Sequence, residues 1–170
     1  MSVYNEAESL QTLISLLAEV EGTRVTLIGD IMLDRYHHGY ANNLNSTAPV
    51  PALRVLYSEE SPGAAAHIAR GLSSLGMSVD LHSSVGDDNE GKCIIKTLKE
   101  DGIDTSGIIE VEGRTTLTKI RFYGSRENLL DQEQILLQAD RGPLDELDSN
   151  ISDSLTQASL ESLSESKALV

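Results

Sequence analysis

"VTLIGDIMLDRY", residues Val25–Tyr36, breaks an apolar, β-branched run at Gly29 and sets two aspartates, Asp30 and Asp34, just past its tip. Val25–Ile28 reads as a short strand buried within a sheet. In open α/β sheets, ligands lie beyond the carboxyl ends of the strands. The two aspartates therefore occupy the place where a site is expected. One carboxylate accepts hydrogen bonds from two donors at once, so a pair suits a polyhydroxylated ligand. The same residues also admit a plainer use, one capping a turn and the other pairing with Arg35.

Upstream, Leu10, Leu13, Ile14 and Leu17 fall at helical spacing and predict a helix over 6–20. Downstream, Asp34–Tyr40 and Ala52–Tyr57 read as extended pieces separated by the turn-rich "ANNLNSTAPVP". "SPGAAAHIARGLSSLG" predicts a helix opened by Pro62–Gly63 and closed by Gly76. "SVDLHSSVG" predicts a strand, and "DDNEGKCIIKTLKEDG" a helix with acids in its first turn. "GIIEVEG" and "TLTKIRFYG" read as paired strands and "QILLQAD" as a third. Pro143 then starts a helix with the stripe Leu144, Leu147, Ile151, Leu155 and Ala158. "KALV" has the character of another central strand. Alternation of strands and helices from Thr23 to Ala139 predicts an α/β fold with a parallel sheet, and the short strands fit a small accessory sheet.

The chain has 170 residues, enough for one domain, and its core must be aliphatic because it holds one Phe, five Tyr and no Trp. Thirteen basic against 27 acidic residues leave a net charge of −14. That field repels polyanions, so nucleic acid and anionic membranes are excluded as partners. The lone Cys93 rules out a disulfide framework. The N-terminus lacks a basic leader, and no apolar run reaches the roughly 18–20 residues that span a bilayer, so a cytoplasmic protein is expected. No phosphate-loop, GxGxxG or HExxH pattern occurs. Adjacent His37 and His38 would face opposite sides of a strand and make a poor metal pair. Gly63 ahead of the "AAAHIA" helix lets backbone N–H groups approach a ligand, with His67 one turn on. "VGDD", Val85–Asp88, fits helix capping at least as well as chemistry.

"GDIMLDRYHHG", "APVPALRV", "SPGAAAHIARGLSSLG", "VGDDNEGK", "DGIDTSGI" and "RTTLTKIR" occur in that order. Together they resemble the N-terminal part of the ribokinase-like (PfkB) carbohydrate kinases, nearest the heptose-7-phosphate kinase domain of ADP-heptose synthesis. The resemblance runs from Val25 onward, with an insertion around Ser125–Asp131. It implies an α/β sandwich with a parallel central sheet and a small β lid, truncated on its C-terminal side. Residues 1–22 would then be an N-terminal helix and 23–170 the N-terminal portion of the kinase domain, with lid strands within about 34–57 and 107–124. The sugar or sugar phosphate would lie between lid and sheet, and the lid would form a homodimer interface.

By the same resemblance, Asp34 matches the aspartate that holds sugar hydroxyls and Asp30 the acid of the "GD.MLD" signature. Gly63 matches a glycine at the sugar, and Lys119 the lysine of the lid "TTK" motif. The substrate-binding set implied is Asp30, Asp34, Gly63, Ala64, His67 and Lys119. Three departures stand out. "PGAAAH" replaces "PGGAAN", putting Ala64 for a glycine and His67 for the sugar-binding asparagine. Asn43 and Thr47 stand for an arginine and a glutamate, and Gln138 for an arginine, which removes donors suited to a phosphorylated sugar. The family's catalytic base and anion hole belong to a downstream "GAGD" motif, and its nucleotide pocket to the C-terminal part. Neither occurs in this sequence. The expectation is that ATP and Mg2+ serve the complete family member, and that this chain alone binds neither and is not a competent kinase. A non-catalytic sugar-binding or dimerisation module, or a gene remnant, are the alternatives.

Overall fold

A computed structural model describes residues 6–126 and 133–170. The insertion expected around Ser125–Asp131 falls largely outside them. The element order is α1 (Glu6–Val20), β1 (Arg24–Ile28), β2 (Ile31–Leu44), β3 (Pro51–Ala64), α2 (Ala65–Ser74), β4 (Ser78–Gly86), α3 (Asn89–Glu100), β5 (Ile108–Val111), β6 (Thr118–Ser125), β7 (Gln134–Arg141), α4 (Ser149–Leu163) and β8 (Ala168–Leu169). Two four-stranded sheets result: a central one in the order β5-β4-β1-β8 and a lid in the order β3-β2-β6-β7.

The central sheet is parallel throughout, with Leu27 beside Leu81, Ser83 beside Ile108 and Val25 beside Ala168. Its apolar core joins Leu27, Val79, Leu81 and Val85 to Ala66 and Ala69 of α2 and to Ile94 and Leu98 of α3. Strand side chains alternate, so the next residues face the other way. On that side Thr26 bonds Ser162 at 2.9 Å and Ser166 at 2.8 Å, while Asp80 accepts from Ser162 at 2.7 Å. The helix α4 is thus tied to the sheet by hydroxyls and carboxylates, with Leu155 its one buried large apolar side chain.

The lid grows out of the core. Ile31 and Leu33, at the root of β2, are 3% and 0% exposed and belong to the apolar cluster. The same strand then runs on to Leu44, pairing antiparallel with β3 and parallel with β6. The α1 stripe forms as the spacing predicts, but Leu10, Leu13, Ile14 and Leu17 stand exposed.

Three local readings differ from the structure. "GIIEVEG" and "TLTKIRFYG" do not pair: β5 extends the central sheet beside β4, and β6 joins the lid beside β2 and β7. Apolar alternation cannot say which of two sheets a strand enters. The proline at 143 does not open a helix. Leu144 is fully exposed, and α4 begins after Asp148, whose carboxylate accepts from the Asn150 amide at 2.8 Å. An N-cap side chain outweighs proline's preference for a first turn. Likewise Pro62 and Gly63 end β3 instead of opening α2.

Asp88 ties the α3 N-terminus to the segment entering the lid. Its Oδ1 accepts from the Gly91 amide at 2.9 Å and the Thr116 hydroxyl at 2.6 Å, and its Oδ2 accepts from the Thr116 amide at 2.9 Å. Burial pushes this carboxyl up, but the Thr116 and Gly91 bonds outweigh it and hold it below the ordinary carboxylate range. A depressed folded-state value stabilises above the unfolded value, near 3.9, and that contribution is lost as pH falls through the folded value. Asp88→Asn is expected to cost about 1–2 kcal/mol at pH 7 in chemical denaturation. The difference from the parent should shrink below about pH 4. An unchanged midpoint at pH 7 would contradict this role.

Candidate functional site

Gly29 and Asp30 form the short turn between β1 and β2. The Asp30 carbonyl accepts from the Ala65 amide at 3.0 Å, which ties this turn to the start of α2. Its side chain is exposed and lines a cavity of about 220 Å³ with Ser84, Gly86, Arg114, Thr116 and Pro143. Asp30 therefore lies beyond the carboxyl ends of β1 and β4.

Asp34 lies farther along β2, on the lid face opposite Leu33. Its Oδ1 accepts from Arg121 Nη1 at 2.7 Å, with both side chains about four-fifths buried. Arg121 is held from several sides. Nη1 also donates to the Tyr36 hydroxyl at 3.3 Å, and the guanidinium lies 5.4 Å from the Tyr36 ring centre. Nε donates to Gln138 Oε1 at 3.3 Å, and Gln138 in turn donates to Asp140 at 3.0 Å. The bond to Asp34 raises the Arg121 pKa further, so this cation is permanent. Burial and then the Asp34 charge push the Tyr36 phenol up, keeping it protonated.

Gly63 sits opposite Met32 in register, and a Cβ there would come within 2.2 Å of Asp34 Oδ2. Glycine is thus required where the strand passes the carboxylate. The next residue, Ala64, has φ +52° and ψ −127°, the one positive φ at a non-glycine among the described residues. The glycine usual at this position in the resembled family would carry that backbone without strain.

Lys119 is in register with Asp34 on one side and Asp140 on the other. It is half-buried, and no ion pair within 4.0 Å engages it among the described residues. His67 stands apart, exposed on α2 in a groove with Arg70 and Asp101, where Arg70 donates to Asp101 at 2.6 Å and to Ser61 at 3.0 Å. Asn43 and Thr47 are exposed at the lid tip. At about 3.3 Å per residue, Asn43 lies roughly 30 Å along β2 from Asp34, too far to share a small ligand with it.

The structure thus gathers Asp34, Gly63 and Lys119 onto one lid surface, sets Asp30 at its base and leaves His67 outside. Arg121 and Tyr36 are the members that sequence reasoning missed; Gln138 it named only as a replaced arginine. Alternation in "TKIR" already puts Lys119 and Arg121 on one face; the parallel register with β2 supplies the rest. His37 and His38 face opposite sides, as expected: His37 stacks on Phe122, and His38 on Tyr57 and Tyr123. Among the described residues no group of three or more His, Cys, Asp or Glu stands together to hold a metal ion. No described helix is long and apolar enough to cross a membrane.

Ala64→Gly should relieve backbone strain of about 1–3 kcal/mol, less about 0.4–1 kcal/mol of added unfolded-state entropy. The expected result in a thermal melt is a midpoint higher by about 2–4 °C. A lower midpoint would mean that the Ala64 backbone is not strained.

Comparison with known proteins gives this site a context. The pfkB family carbohydrate kinase description matches residues 23–164. The bifunctional protein HldE of Magnetococcus marinus is 36% identical over 110 residues, covering 65% of this chain and 23% of the relative. The chain spans about a quarter of the length of the curated relatives it matches. Among solved structures, a carbohydrate kinase from Agrobacterium tumefaciens superposes with a TM-score of 0.56 at 16% identity, over 86% of this chain and 44% of that one. A sugar kinase from Pyrococcus horikoshii in complex with ATP gives 0.50 at 23%, over 75% and 37%. Fold and sequence agree, and the chain belongs to the pfkB family of carbohydrate kinases.

Proposed function

We propose that this chain carries the sugar-binding part of an ATP-dependent kinase that phosphorylates a sugar phosphate of the heptose 7-phosphate kind in the cytoplasm. The observation that carries the reading is the Asp34 carboxylate. Its Oδ1 is taken by Arg121, while Oδ2, which fills the space a side chain at residue 63 would need, accepts no hydrogen bond from the described residues. Such an oxygen accepts hydrogen bonds from sugar hydroxyls, and Arg121 fixes its direction beforehand. Lys119, with no ion-pair partner among the described residues, supplies a cation on the same face for a phosphate group. The family and the HldE relatives support a sugar or sugar phosphate as ligand.

ATP with Mg2+ would supply the transferred phosphoryl group in the complete protein. The part of this chain is to bind the acceptor, orient its hydroxyl and, through the lid, exclude water. Val55, Leu56 and Tyr57 of β3, with Ile135 and Leu137 of β7, are exposed apolar side chains spread over both faces of the lid, and their coverage suits a homodimer.

Calorimetric titration of this chain with heptose 7-phosphate, and with other sugar phosphates for comparison, tests the reading. Asp34→Asn is isosteric and should weaken binding at least tenfold, about 1.4 kcal/mol. Arg121→Gln should weaken it similarly by freeing Asp34. Binding unchanged in Asp34→Asn would refute the assignment. For the lid surface, light scattering should give twice the 18.4 kDa chain mass for the parent and the single mass for Leu56→Glu. A parent that stays monomeric at high concentration would remove the dimer.

A further inference from the structure

Asp34, Arg121, Gln138 and Asp140 form a hydrogen-bonded line across one face of the lid. Each end of that line is followed in the chain by an arginine, Arg35 on β2 and Arg141 on β7. Strand side chains alternate, so both arginines point to the opposite face. There they meet at one carboxylate from outside the lid. Glu90, in the first turn of α3, accepts from Arg35 Nη2 at 3.2 Å and pairs with Arg141 Nη1 at 3.1 Å, both through Oε1. The β6 strand separates β2 from β7, so about 10 Å of sheet lies between the two strands that this single oxygen joins.

The grip is embedded in further contacts. The Glu90 side chain is 12% exposed. Arg35 Nε donates to Glu60 of β3 at 2.6 Å. Cys93, three residues beyond Glu90 and on the same face of α3, donates its thiol to the other Glu60 oxygen at 3.4 Å. Asp88, which caps α3, holds Thr116 at the entry to β6. All four lid strands are thus tied to the start of one helix. The helix dipole alone favours an acid in a first turn, but that use does not call for two arginines from separate strands.

We propose that Glu90 is a positioning residue for the ligand-binding face of the lid: through Arg35 and Arg141 it holds both ends of the line from Asp34 to Asp140 and fixes the lid's angle over the central sheet. For its effect on affinity the proposal rests on the sugar-binding reading of Asp34. A carboxylate whose strand is already fixed loses less freedom when its ligand arrives, and affinity gains accordingly.

The test reports the lid angle as a distance distribution from pulsed electron spin resonance. Spin labels are placed through Asn43→Cys on the lid and Lys96→Cys on α3, both exposed positions, in a Cys93→Ser background that keeps a donor for Glu60. Glu90→Ala is expected to broaden the distribution and to weaken calorimetric binding of heptose 7-phosphate at least fivefold. Glu90→Gln, which keeps an oxygen for the arginines, should fall between this variant and the parent in both measurements. Glu90→Ala leaves the Asp88 cap and the buried Ile94 and Leu98 in place, so α3 should persist; if it does not, Glu90→Gln carries the comparison. An unchanged distribution, or a broadened one with the affinity of the parent, overturns the proposal. A parent that binds no sugar phosphate refutes the reading of Asp34 instead. Broadening in Glu90→Ala then still supports the hold of Glu90 on the lid, and its absence overturns it.

Discussion

Burial of the β2 root is the constraint on which the rest of this structure depends. Ile31 and Leu33 lie within the apolar cluster at 3% and 0% exposure, beside Leu27 and the alanines of α2. Fully burying a side chain of this size contributes about 1.5–3 kcal/mol, and removing it leaves a cavity as well. Because one unbroken strand carries both these anchors and the exposed lid, the core sets the lid's direction. Asp34, one residue past Leu33, inherits its position from that anchoring. A carboxylate on a free loop would have to be ordered by its ligand; this one is ordered beforehand.

The two faces of the central sheet are held by different means. Toward α2 and α3 the contacts are aliphatic and dense. Toward α4 they are hydroxyls, carboxylates and one arginine, with Thr26 wholly buried and bonded to two serines. Such a polar layer contributes less net stability per contact than apolar burial, since each bond replaces one to water. It creates directional demands instead, and His82 is the one side chain of that layer whose demand goes unmet. The same chain thus has one sheet face decided by packing and another held by directional polar bonds.

Charge on the lid follows a similar logic. The line Asp140–Gln138–Arg121–Asp34 crosses β7, β6 and β2, joining the consecutive strands β6 and β7 to the distant β2. The Gln138 that stands where the resembled family has arginine is not idle. It accepts from Arg121 Nε and donates to Asp140, which a second guanidinium, having no acceptor, could not do. The substitution removes a cation from the face and in exchange orients the one that remains.

Much of this was legible in the sequence. Val25–Ile28, bounded by Gly29, is a central strand, and Ser78–Gly86 is the next. Local periodicity and steric rules suffice for these features, because each depends on residues a few positions apart. What the sequence alone left open is everything set by pairing over long separations. It did not show that Ile108–Val111 extends the central sheet while Thr118–Ser125 enters the lid, or that Arg121 lands on Asp34. Nor could it show that His67 turns away from that pair, or that His82 is buried without a partner. A side-chain period of two tells which residues share a face of one strand, but register and sheet membership are decided only when the whole core packs.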